Sequence, residues 1–94
     1  MNRRVIERRL GEVHSKLMRA REELALIEEQ LASFVEDADE ARIRSLVSET
    51  PLADREWHEA SRHAEVMQRS RQSARDRVAE LERAQDELLD KLVV

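Results

Sequence analysis

Apolar side chains recur along this chain in alternating steps of four and three: Ile6, Leu10, Val13, Leu17, Ala20, Leu24, Ile27, Leu31 and Phe34. A half-buried strand would alternate every two residues and a loop would show no period, so a 3.5-residue repeat held for four heptads is the seam of a coiled coil. The pattern resumes through Trp57, Ala60, Ala64, Met67, Arg71, Ala74, Val78, Leu81, Gln85, Leu88 and Leu92, with Arg71 and Gln85 as its polar members. The first series extends through Ala38, Ala41 and Ser45. The spacing therefore predicts an all-α chain: one helical hairpin over residues 1–94, with helix 1 at about 3–47, a turn at about 48–52 and helix 2 at about 53–92. Asp37 and Asp39, poor helix formers, mark where a kink in helix 1 would fall.

Composition agrees with this reading. The 94 residues include one glycine, one proline and two aromatics, too few turn and β-forming residues to build a sheet. Thr50 and Pro51 suit the N-cap and first position of helix 2, with Asp54 as a second place for that helix to begin. Acid-first pairs four residues apart, Glu12/Lys16, Glu40/Arg44, Glu65/Arg69 and Glu87/Lys91, would support the helices from outside.

Charge decides how the two seams meet. Residues 1–21 hold 7 basic and 2 acidic side chains, and residues 22–41 hold 8 acidic and none basic. Residues 62–77 hold 5 basic and 2 acidic, and residues 78–94 hold 2 and 5. Antiparallel pairing sets opposite signs side by side, whereas parallel pairing sets like beside like and is penalised. The expected fold is an antiparallel two-helix coiled-coil hairpin. A reversal at Thr50 and Pro51 makes the numbers of facing residues sum to 101 or 102, as in Leu24/Val78, Phe34/Met67, Ala38/Ala64, Ala41/Ala60 and Ser45/Trp57. Arg71 and Gln85 then set the register. Arg71 either snorkels outward or pairs with an acid such as Glu28.

A two-helix hairpin buries one stripe per helix, and a chain this short has little other core. Val5, Met18, Leu26, Val35, Val66, Leu89, Val93 and Val94 are apolar but lie off the seam. They predict a second contact face, used for a homodimer that forms a four-helix bundle or for a protein partner.

Catalytic chemistry finds no foothold. There is no cysteine, no Gly-rich phosphate loop and no nucleophile-elbow context for any serine. The three histidines, His14, His58 and His63, lack the Glu-x-x-His spacing of carboxylate metal bundles. The expectation is a non-enzyme with no metal and no cofactor. The arginine clusters at Arg3, Arg4, Arg8, Arg9 and at Arg69, Arg71, Arg75, Arg77 face acidic blocks and have no aromatic neighbours to stack on bases, which argues against nucleic acid. No apolar run reaches signal-peptide or membrane-spanning length, so a cytoplasmic protein without membrane contact is expected. Helical-hairpin anti-sigma factors that read cyclic dinucleotides carry Glu-x3-Ser-x2-Arg-x3-Gln-x3-Asp. The corresponding series here, Ser61, Glu65, Gln68, Gln72 and Asp76, departs from it at three positions.

The turn is the remaining candidate site. Ile43, Leu46, Val47, Leu52 and Trp57 cluster there, more apolar surface than a reversal needs, with Glu49, Asp54 and Glu56 at the rim. An apolar patch with a tryptophan and a charged border is the composition of an interaction hot spot. The stretch Pro51–Ala60, PLADREWHEA, followed by RVAELE at 77–82, resembles the tip and descending helix of coiled-coil transcription factors of the Gre and DksA type. That resemblance implies entry of the tip into the RNA polymerase secondary channel, led by Asp54 and Glu49. The chain lacks those families' paired acidic tip motif, zinc-binding cysteines and docking domain. Its whole length also resembles small coiled-coil proteins of high-GC actinobacteria, a likeness that implies no activity. The residues thus point to a non-catalytic protein-protein interaction module, an adaptor or regulator, with RNA polymerase binding through the tip as the alternative.

Overall fold

A computed structural model describes residues 2–93. They form two helices, α1 (Arg3–Ser48) and α2 (Pro51–Val93), joined by Glu49 and Thr50 and folded back as a helical hairpin. Each boundary has a local cause. The Asn2 side-chain oxygen accepts the Val5 N–H at 3.0 Å, capping α1. Thr50 Oγ1 accepts the Ala53 N–H at 3.2 Å, and Pro51 takes the first position of α2, where its missing N–H leaves no hydrogen bond unmade. Glu49, just past α1, adopts the left-handed conformation with φ 50° and donates its N–H to the Ser45 carbonyl at 3.1 Å. α1 continues as helix through Asp37 and Asp39.

The seam is where the chain is covered. From Ile6 to Ser45 every seam residue of α1 is buried or half-buried, and among the described residues of that helix only Val5 joins them. The α2 seam from Trp57 to Leu92 is covered in the same way, Arg71 and Gln85 included. Two compact units make up the hairpin. In one, built from the turns up to Leu24 and those from Ser73 onward, Leu17, Ala20 and Val78 form a buried cluster flanked by Leu24 and Leu81. The other, Ala25–Gln72, contains the turn and buries Leu31, Ala41 and Ala53.

Within the turn-bearing unit the helices pair in a register different from the expected one. The Phe34 and His63 rings meet edge to face, with centroids 6.0 Å apart, and Ser45 Oγ donates to Asp54 Oδ1 at 3.3 Å. These residue numbers total 97 and 99 rather than 101 or 102. The reversal is centred on Glu49 and Thr50, one residue before the point assumed from Thr50 and Pro51. Step matching explains the offset. From Phe34 the α1 seam rises by four, three and four to Ser45, and from Ala64 the α2 seam falls by four, three and four to Ala53. The layers are level only when Ala53, 8% exposed, joins the seam opposite Ser45.

Ion pairs contribute less than the charge pattern implies. Arg3 and Glu7 meet at 2.9 Å, but none of the four expected acid-first pairs closes to 4.0 Å, and Arg71 makes no ion pair with Glu28. Long exposed side chains gain little from pairing in water and lose rotamer freedom by it.

Candidate functional site

The last turns of α1 and the first of α2 carry a group of exposed apolar residues. Ile43, Leu46, Val47 and Leu52 are each at least 60% exposed. They lie off the seam, so closing the hairpin leaves them uncovered. Ile43, Leu46 and Val47 share one side of α1 because residues three and four apart are neighbours on a helix surface. Trp57, on the α2 seam, is half-buried, with its ring 5.4 Å from that of His58. The structure thus brings four of the five expected apolar tip residues to the surface and places the tryptophan largely inside the pair.

The acids of the tip differ in their surroundings. Asp54 accepts the Ser45 hydroxyl and stands 3.9 Å from His58 Nδ1, while that ring nitrogen lies 2.7 Å from the Asp54 carbonyl oxygen. The Asp54 carboxylate is therefore engaged within the hairpin. Glu49 is exposed at the apex, on a backbone conformation that costs an L-residue about 1–2 kcal/mol and that glycine would adopt more readily. Sequence reasoning reached Glu49 and Asp54 as rim acids but missed Ser45 and His58 as the groups that hold Asp54. The signal was present in the i,i+4 spacing of Asp54 and His58 and in the polar seam position of Ser45.

Farther down the same unit, an open groove over Ala41 and Ala60 is rimmed by Asp37, Glu40, Glu56 and Glu59 together with Arg44 and His63. Both alanines are small, and the groove is wide open to solvent. Among the described residues no polar side chain is buried, and no cluster of three or more His, Cys, Asp or Glu is arranged to hold a metal ion. No helix is long and apolar enough to cross a membrane. Arg71 and Gln85 are half-buried on the α2 seam. Of the off-seam apolar residues, Val5 is half-buried, Met18, Leu26, Val35, Val66, Leu89 and Val93 are exposed, and Val94 lies outside the described residues.

Compared with known proteins, the chain matches no family model, no curated protein and no solved structure.

Proposed function

We propose that this chain is a non-catalytic interaction module, an adaptor or regulator that engages a protein partner through the tip of its hairpin. The observation that carries this reading is the exposure of Ile43, Leu46, Val47 and Leu52 on turns whose seam side is covered. Contiguous exposed apolar surface with a polar border is what a protein-binding site requires, since burying it on association supplies the driving force. The helices beneath the patch form a preorganised support, so little conformational entropy is lost when it docks. Retention of partners from native lysate by the parent, compared with a Leu46→Gln/Leu52→Gln variant, tests the reading. The variant should remain helical and lose partners that the parent keeps; a partner retained equally by both overturns it.

The acid at the apex favours a second reading, binding of RNA polymerase by the tip. Glu49 projects from the turn and is exposed, as a leading acid would be. Addition of the protein to a purified transcription reaction should then change polymerase activity, and Glu49→Ala should abolish the change. Activity unaltered by the parent protein removes this reading.

A further inference from the structure

Within the turn-bearing unit, α1 carries a second stripe on the side away from its seam. Stepping by three or four, it runs through Glu29, Ala32, Glu36, Glu40, Ile43 and Val47, all exposed, while Leu31, Ala38, Ala41 and Ser45 are covered on the other side of the helix. Residues three and four apart are neighbours on a helix surface, so these six make one continuous face, acidic along its length and apolar toward the tip. All six charged residues between positions 25 and 41 are acidic, and none of them makes an ion pair among the described residues. Arg42 and Arg44, about 100° to either side of Ile43 around the helix, lie at the borders of the stripe.

We infer that the partner engaged by the tip presents a basic amphipathic helix, which lies along this stripe with Lys or Arg over Glu29, Glu36 and Glu40 and apolar side chains over Ile43 and Val47. The inference rests on the tip function proposed above and names the chemistry of its partner. Charge identifies the occupant. Acids without a counter-charge in their own hairpin attract a cationic surface and oppose nucleic acid or acidic lipid. Pairing with the same stripe of a second copy would set carboxylates against carboxylates. Ala32, between Glu29 and Glu36, leaves room for the stem of a long basic side chain whose head reaches an acid. A helix suits the stripe better than an extended segment, because α1 has no free backbone groups for a strand to pair with and the three-and-four step repeats in a facing helix. From Glu29 to Val47 the stripe is about 27 Å long, or about five turns of the partner.

Fluorescence anisotropy tests the inference, using a labelled peptide of about 20 residues with Lys along one stripe and Leu at one end, titrated with the full chain. Circular dichroism checks that every variant is helical. The Lys peptide should bind at micromolar concentration, and the same peptide with Glu in place of Lys should bind about tenfold more weakly or worse. Glu36→Lys/Glu40→Lys should reverse that preference. Glu80→Lys/Glu87→Lys changes the net charge equally but lies outside the turn-bearing unit, and should leave affinity for the Lys peptide within about twofold. Ile43→Gln/Val47→Gln should weaken it by about tenfold. Equal binding of the two peptides, equal loss from the two charge reversals, or no loss from Ile43→Gln/Val47→Gln would overturn the inference. So would self-association of the parent in sedimentation that Glu36→Lys/Glu40→Lys abolishes, since the stripe would then belong to a second copy. Lysate partners that require Leu46 and Leu52 but not Glu36 and Glu40 would also overturn it, and would leave the tip function standing.

Discussion

Ser45 and Asp54, nine residues apart and on opposite sides of the turn, share a hydrogen bond of 3.3 Å from the serine hydroxyl to the carboxylate. It ties the last seam position of α1 to the first turn of α2, beside the layer that Ala53 completes. Asp54 also sits where the positive end of the α2 dipole favours a carboxylate. Because both partners remain in contact with solvent, the expected cost of Ser45→Ala is about 0.5–1 kcal/mol and that of Asp54→Ala about 1 kcal/mol. Urea denaturation of the singles and the double should show coupling between them; strict additivity would mean that the bond contributes nothing in solution.

Glu49→Gly should stabilise the hairpin. The residue holds φ at 50°, where a Cβ crowds the following carbonyl, and glycine removes that crowding while keeping the carbonyl contact to Ser45. The gain expected is about 1 kcal/mol, reduced by the greater freedom of glycine in the unfolded chain. Thermal denaturation reads it directly, and Glu49→Val should move the midpoint the opposite way.

Leu17 and Leu46 are the same residue type with opposite burdens. Leu17 is 1% exposed at the centre of the cluster with Ala20 and Val78. Its replacement by alanine should cost about 2–5 kcal/mol, through lost transfer energy and the cavity left behind. Leu46→Ala should change stability by no more than about 0.5 kcal/mol, as exposed substitutions do. A large loss at Leu46 would show that the tip patch belongs to the core of the hairpin rather than to a binding surface.

Arg71→Leu should raise the thermal midpoint. The arginine is half-buried in the α2 seam and makes no ion pair among the described residues, so replacing it removes a polar group from an apolar series without breaking a salt bridge. Leucine places apolar volume where the seam otherwise has it. A fall in the midpoint would assign the arginine stem a packing role that leucine cannot reproduce.

Much of the architecture is legible in the residues alone, because coiled-coil pairing is written in a local period. The 3.5-residue spacing named every α1 position that the hairpin covers except Val5, and the α2 series from Trp57 to Leu92 is covered throughout. The cap at Thr50 and the place of Pro51 were equally readable, since each depends on its own few neighbours. Segregated charge called for antiparallel helices, and the two helices are arranged so. The apolar tip was readable as composition, and its exposure follows from lying off the seam.

Register and side-chain partners were decided by tertiary structure. A seam of repeating threes and fours accepts several alignments of similar apolar content, and the one adopted depends on how few residues close the turn. Two residues suffice, with Glu49 left-handed, and that shift brings Ala53 into the core and sets Phe34 beside His63. The same contact geometry takes up the Asp54 carboxylate and leaves Glu49 projecting. It also leaves the expected surface ion pairs open, because their attraction in water is no larger than the side-chain entropy that closing them would remove.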